Sequence, residues 1–413
     1  MDEIAKELHE QNIGKQKLWN EDLSGCLLWM DDVALIHHDK EEIQRMLNIT
    51  DEIANRYHIK FGQDKSQILT IGNGDPTLKA KIGELTLENT NTYKYLGMTL
   101  NNKGNLENHL ANVKGKVEAA LQTIFNLAGN EEFYKIEMAT SWRLVQSCII
   151  PIITYGAETW IPLQKELKEA KKILDNTLKR IIRTPITTPT EIITAETGIW
   201  DIETQMAKKQ ISYYHRILTT KNPDSMIYKT VTNQLNPWTK HVGKILNMTK
   251  IPIDELKTKN KEQAKKYITK KLKEYQISKI YKAAETKSKV RDYICNKTRK
   301  TMMMKTQYMT KMQRKDCTNI FSVRSRMIKT KGNYKNNYTD LSCRWCHETQ
   351  ETQTHILKYC VEFKKITNNE PYETYFADDE KSTKTAAIII EKITNKINNH
   401  NENPNDTLDP RTN

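Results

Sequence analysis

Nowhere in the 413 residues is there an apolar run long enough to cross a membrane. The longest apolar patch, around Cys148 to Tyr155, is interrupted by Pro151. The opening residues, Met-Asp-Glu-Ile-Ala-Lys-Glu, are acidic and amphipathic, which is not the pattern of a secretory signal. The cysteines number seven, an odd count for a disulfide framework, and three of them cluster near residue 350. That clustering points to a metal and a reducing compartment, so an intracellular protein of nucleus or cytoplasm is expected, with no membrane partner. No internal repeat recurs. Hydrophobic residues make up only 37% of the chain, yet its length allows two or three domains with real cores.

The net charge of +14 is concentrated rather than spread. Residues 240–331 hold 27 Lys and Arg against 7 Asp and Glu, an excess of 20 positive charges, so the remainder carries a net −6. Such a cationic stretch suits a polyanionic partner, nucleic acid first; the plainer alternative is a solvated, Lys-rich helical surface.

Residues 28–36 read Leu-Trp-Met-Asp-Asp-Val-Ala-Leu-Ile. Apolar arms on both sides predict a strand–turn–strand with Asp31 and Asp32 at its tip. Two carboxylates on a rigid turn suit Mg²⁺, which takes hard oxygen ligands; an ordinary turn also favours Asp. A helix is predicted over residues 1–12 and another over 40–58, then short strands at 59–61 and 67–71 and two more within 81–100, an α+β layout. After Gly104 the pattern is helical over 106–128, 131–150 (ended by Pro151) and 163–182. Thr188-Pro-Thr-Glu191 reads as an N-cap box, with Gly198 as the stop. Residues 239–333 have few Gly or Pro and read as helical, and a polar tail from Lys396 is expected to be disordered.

Cys343-Arg-Trp-Cys346, then eight residues to His355 and four more to Cys360, gives three thiolates and an imidazole at spacings that fit a closed tetrahedral Zn²⁺ site. The alternative is a group of reduced cysteines. With four protein ligands the metal would be structural and would supply folding energy to a segment with little core of its own. Arg344 and Trp345, between the first two ligands, are candidates to stack on unpaired bases or, equally, to pack on the helix carrying His355. Cys26 and Cys148 sit among apolar residues and are expected in the core.

Three segments in order, Trp29-Met30-Asp31-Asp32, Lys65-Ser66 and Tyr95-Leu96-Gly97, resemble the third, fourth and fifth palm motifs of non-LTR (LINE-type) retrotransposon reverse transcriptases. Tyr155-Gly-Ala-Glu-Thr-Trp160 is similar to the segment after that family's thumb, and the Cys-Cys-His-Cys element resembles its C-terminal one. The resemblance covers roughly residues 1–220 and 340–365 and rests on order and spacing. It implies a partial polymerase palm over 1–104, a helical thumb and post-thumb region over 105–238, a basic helical connector over 239–335, a zinc element with terminal helix over 336–395 and a tail over 396–413. It implies Asp31 and Asp32 as Mg²⁺ ligands, Lys65 near the incoming triphosphate, Tyr95, Leu96 and Gly97 as the primer grip, and an RNA template with a DNA primer or target DNA as partners.

Trp29 stands where the family has Phe or Tyr. The family's third metal-binding Asp belongs to a motif upstream, and thirty residues before Asp31 are too few to hold it. The chain is therefore expected not to polymerise by itself, with a non-catalytic nucleic-acid-binding protein as the alternative. The 53 residues after Cys360 are too few for the endonuclease domain some relatives carry there. Phe376-Ala-Asp-Asp379 shares the letters of the third motif but has no second apolar arm; Asp378 or Ser382 is expected there as the cap of a helix through 386–390.

Overall fold

The computed structural model describes residues 2–18, 21–128, 136–296 and 306–401. Contacts gather the chain into two units, each discontinuous in sequence. The first comprises Met1–Lys114, Tyr155–Glu169 and Met206–Ile268; the second comprises Gly115–Thr154, Ala170–Gln205 and Thr269–Asn413. The chain enters each unit three times, so each is assembled from stretches far apart in sequence.

In the first unit, helices Asp2–Glu10 and Lys40–Arg56 enclose a hairpin of strands Cys26–Trp29 and Asp32–Leu35. Ile4, Leu8, Cys26, Met46, Ile49 and Ile53 form the buried core, with Leu28, Val33 and Leu35 of the hairpin packed on it. The period-2 alternation of the strands and the 3.6-residue period of the helices put these residues on facing sides. Asp39 caps the second helix through the amides of Glu41 and Glu42 at 2.7 and 3.2 Å, and those N–H groups hold its carboxyl below the usual range.

The α+β layout holds, but the strands do not join into one sheet. Among the described residues they form five two-stranded ladders. Four are antiparallel, and Gln67–Leu69 pairs in parallel with Glu88–Thr90. Residues 59–61, predicted as a strand, are irregular: the Ile59 N–H donates to the Ala54 carbonyl at 2.8 Å, at the helix end. Residues 81–100 carry more strand segments than the two predicted: Lys81–Ile82, Leu85–Thr86, Glu88–Thr90, Thr92–Tyr95 and Met98–Asn101.

In the second unit Pro151 does not end a helix. Met138–Leu144 passes into a π-helical turn, Val145–Ile149, and resumes as Ile150–Ile153. Proline has no N–H and clashes with the carbonyl four residues back, and the wider turn relieves both conflicts. Residues 131–135, the start of the predicted helix 131–150, lie outside the described residues. Thr188 does not cap the next helix: its hydroxyl pairs with that of Thr184 at 2.8 Å, and the helix runs Thr190–Thr197. Gly198 ends it as predicted, at φ +69°.

Asp379, rather than Asp378 or Ser382, caps the last helix, Glu380–Asn401, accepting from the Ser382 amide at 2.9 Å. Residues 396–401, predicted to be disordered, are its final turns; 402–413 lie outside the described residues. Cys26 is buried as expected, but Cys148 lies on the outer side of the π-helical turn and is exposed. Among the described residues no helix is long and apolar enough to cross a membrane.

Candidate metal centre

Cys343, Cys346, His355 and Cys360 converge so that their ligand atoms all lie within 4.8 Å of one another. The local fold explains how. Cys343 and Cys346 flank a tight turn closed by His347 N–H to the Cys343 carbonyl at 2.9 Å, with His347 itself at φ +57°. The other two ligands bracket a π-helical turn, His355–Tyr359, in which the Cys360 N–H donates to the His355 carbonyl at 2.8 Å. In an α-helix five residues advance roughly 500°, leaving the two side chains about 140° apart. The wider i→i+5 turn brings them back toward one face.

The distances fit a tetrahedral ion. With metal–sulfur bonds of about 2.3 Å, two sulfurs sit about 3.8 Å apart; the Cys343 and Cys360 sulfurs are 3.9 Å apart. Cys346 Sγ lies 3.2 Å from His355 Nε2, a few tenths shorter than the roughly 3.6 Å edge of a sulfur–nitrogen pair. The Thr349 hydroxyl holds His355 Nδ1 at 2.9 Å, which leaves Nε2 to face the metal.

Burial lowers the His355 pKa and so favours the neutral, ligating imidazole. Burial acts to raise the Cys346 thiol, but the backbone N–H groups of Glu348 and Thr349 and the neighbouring thiols outweigh it, and the net shift is downward. Cys360 is pushed up to about 12, first by burial and then by the charge of Cys343. A divalent ion would offset the rise at Cys360 by binding its thiolate. The donor set, its closure and the geometry fit Zn²⁺, which would hold the two turns together and leave no position open for a substrate.

A carboxylate the sequence did not single out organises the frame of this centre. Glu351 is fully buried and takes a bidentate pair from Arg344, Nε to Oε2 and Nη2 to Oε1, each at 2.8 Å. It also accepts from the amides of Arg344 and Lys331 at 3.2 and 3.0 Å. Arg344, read as a base-stacking candidate, is thus buried and committed to Glu351. Trp345 turns its ring edge-on to Phe363 at 4.7 Å and to His400 at 5.7 Å, the packing alternative. The signal available was Glu351 itself, an acid among polar residues with a paired Arg seven positions upstream.

The carboxylate hairpin stands in the other unit. Trp29 pairs with Asp32 across the ladder, so the turn consists of Met30 and Asp31, with Asp32 heading the return strand. Met30 adopts φ +54°, as a two-residue hairpin loop requires of its first residue. Trp29, Met30, Asp31 and Asp32 are all exposed. Among the described residues no third carboxylate or imidazole gathers with Asp31 and Asp32. Two carboxylates from one hairpin do not complete a two-ion site, so Mg²⁺ does not fit as a full catalytic centre here.

Of the other residues singled out from the sequence, Tyr95 lies within electrostatic reach of this hairpin. Burial raises the Tyr95 phenol, and the Asp32 carboxylate and Cys26 raise it further. Tyr93, on the same strand as Tyr95, donates its hydroxyl to the Lys65 carbonyl at 2.9 Å. Leu96 and Gly97 form the loop between Thr92–Tyr95 and Met98–Asn101 at φ +45° and +81°, the double positive pair of a type I′ hairpin. Tyr155 closes over that loop: a Cβ on Gly97 would stand 3.1 Å from its ring. Gly156, at φ +70°, lies tight against Met98 and the Trp160 indole. The carbonyls of Glu158 and Trp160 accept from the Trp238 indole at 3.0 Å and the Gln210 amide at 2.7 Å.

A buried polar network in the second unit was also missed. Arg324 and Glu196 are fully buried and paired at 3.0 Å, with Asp378 on the same guanidinium at 3.0 Å. Arg324 further donates to the carbonyls of Tyr375 and Ala377, and Tyr293 donates to Glu196 at 2.6 Å. Asp378, half of the motif look-alike, is therefore a structural ion-pair partner. No family model matches the chain, and no curated protein matches it.

Proposed function

We propose that this chain is a segment of an RNA-directed DNA polymerase of the non-LTR retrotransposon kind, acting on an RNA template with a DNA primer or target. The observation that supports this reading is convergence. Asp32 acts on Tyr95, Tyr93 binds the Lys65 backbone, and Tyr155 covers the Leu96–Gly97 loop, so segments matched on order alone share one neighbourhood. In the complete polymerase Asp31 and Asp32 would contribute to Mg²⁺ binding, Lys65 would stand by the triphosphate and the Tyr95–Gly97 turn would grip the primer. The basic stretch would track the phosphate backbone and the zinc element would fold the C-terminal part.

The incomplete carboxylate set favours a second reading for the polypeptide as it stands: binding of nucleic acid without catalysis. Primer extension on an RNA template with Mg²⁺ tests the difference. No product is expected from this chain alone, whereas product abolished by Asp31→Ala would show a competent centre. Binding to oligonucleotides should weaken steeply with salt if the basic stretch drives it.

A further inference from the structure

We propose that Tyr359, on the outer side of the metal centre, is the stacking platform that this element offers to unpaired bases of single-stranded nucleic acid. The inference rests on the nucleic-acid reading above and replaces Arg344 and Trp345, which the fold consumes internally. Tyr359 is the last residue of the π-helical turn and directly precedes the ligand Cys360. It is 59% exposed, although Leu357 two positions before it and Cys360 directly after it are buried. Between residues 306 and 387, Tyr359 and Val361 are the large apolar side chains left exposed among the described residues.

Charge distinguishes this patch from an apolar protein-docking face. Lys358 holds its ammonium 5.6 Å from the Tyr359 ring centroid. Lys364 and Lys365 are exposed on a one-turn helix, Lys364–Thr367, that packs against the same turn. Across residues 356–367 the single acid is Glu362. An aromatic face set among cations is what a single strand needs: every base has a π-face to stack, and the phosphates on either side find ammonium groups. The backbone beneath Tyr359 is pinned by the Cys360–His355 hydrogen bond and by the convergence of the four ligands, so little entropy is lost when the ring is covered. A duplex keeps its bases stacked inside and gains only the phosphate contacts.

The test uses the full zinc-loaded chain with three probes of about 20 nucleotides, oligo(U), oligo(dT) and a blunt duplex. Tyr359→Ala is expected to weaken binding to both single strands by about 5- to 100-fold, with Tyr359→Phe near wild type and the duplex unchanged. The Lys364→Ala, Lys365→Ala pair is expected to reduce the single-strand salt slope by roughly 1.4. Zinc content is measured in every variant. Should Tyr359→Ala lose metal, photocrosslinking of 4-thiouridine RNA to wild-type protein must still map to the peptide containing Tyr359. Wild-type affinity in a metal-replete Tyr359→Ala protein, equal losses on single strand and duplex, or a crosslink map without that peptide each overturn the platform while leaving nucleic-acid binding intact. A wild-type chain that binds none of the three probes at low salt overturns the nucleic-acid reading and the platform with it.

Discussion

The Tyr155 hydroxyl donates a 2.8 Å hydrogen bond to the carbonyl of Leu96, fifty-nine positions away in sequence. It joins two segments far apart in the chain and gives the second a role: Tyr155-Gly-Ala-Glu-Thr-Trp160 is the clasp that holds the Tyr95-Leu96-Gly97 loop.

Loosening that clasp should be measurable without any activity assay. Tyr155→Phe removes the donor and should cost about 0.5–1.5 kcal/mol of unfolding free energy. Gly97→Ala should cost more, about 1–2 kcal/mol from backbone strain alone, because φ +81° disfavours any Cβ and the Tyr155 ring stands in its way. Urea titration of both variants and of the double variant checks this. A double variant that costs the sum of the singles would show the two positions uncoupled, contrary to the contact.

The metal centre predicts one equivalent of zinc per chain after purification. Cys343→Ser with Cys346→Ser should abolish it, and chelation should unfold the surrounding segment, since metal binding of this kind carries about 10–16 kcal/mol of apparent free energy. Metal analysis and near-ultraviolet dichroism of the Trp345 environment read the two effects. Zinc undiminished in the double variant would sink the assignment.

Arg324 should be the most sensitive charged position of the second unit. Arg324→Met leaves the fully buried Glu196 without its cation, beside a partly exposed Asp378 that loses the same partner, and the expected loss is about 3–5 kcal/mol. Adding Glu196→Gln to the same protein should recover part of that loss, because it removes one stranded charge. Thermal melts of the single and double variants decide the matter.

Acid should weaken the second unit through Asp201. Burial alone would raise this carboxyl, but the Lys279 ammonium at 2.5 Å and the Thr204 amide at 2.9 Å more than reverse that and hold its pKa below the usual value. A lowered folded pKa means the unfolded chain takes up the proton first. The stabilisation is therefore present above about pH 4, the unfolded value, and is lost as pH falls through the folded one. Lys279 shows the opposite shift: burial would lower it, yet Asp201 and Glu203 raise it, so its share holds below about pH 10 and fades above. Asp201→Asn keeps the cap on Thr204 and should flatten the acid limb of stability against pH; an unchanged acid limb would refute the assignment.

What could be read from the sequence was what repeats along it. The hairpin at residues 26–35 and the helix Lys40–Arg56 follow from apolar periodicity, and the four metal ligands from spacing of unusual residue types. What could not be read is what lies across the chain. Glu351, Arg324 and Glu196 look like surface charges until their partners, 7 to 128 positions away, are brought beside them. Pro151 and the His355–Tyr359 segment look like a helix stop and an ordinary helix because a π-helical turn has no composition of its own. Arg344 looked free because nothing local shows that Glu351 will claim it.

The wide turn between His355 and Cys360 also fixes the chain length at that point. One residue more would carry the closing amide past its carbonyl and the last thiol off the side of the turn that holds the imidazole. Ile356 and Leu357 are buried within the same turn, so an in-frame codon gained there should be as damaging as the loss of a ligand.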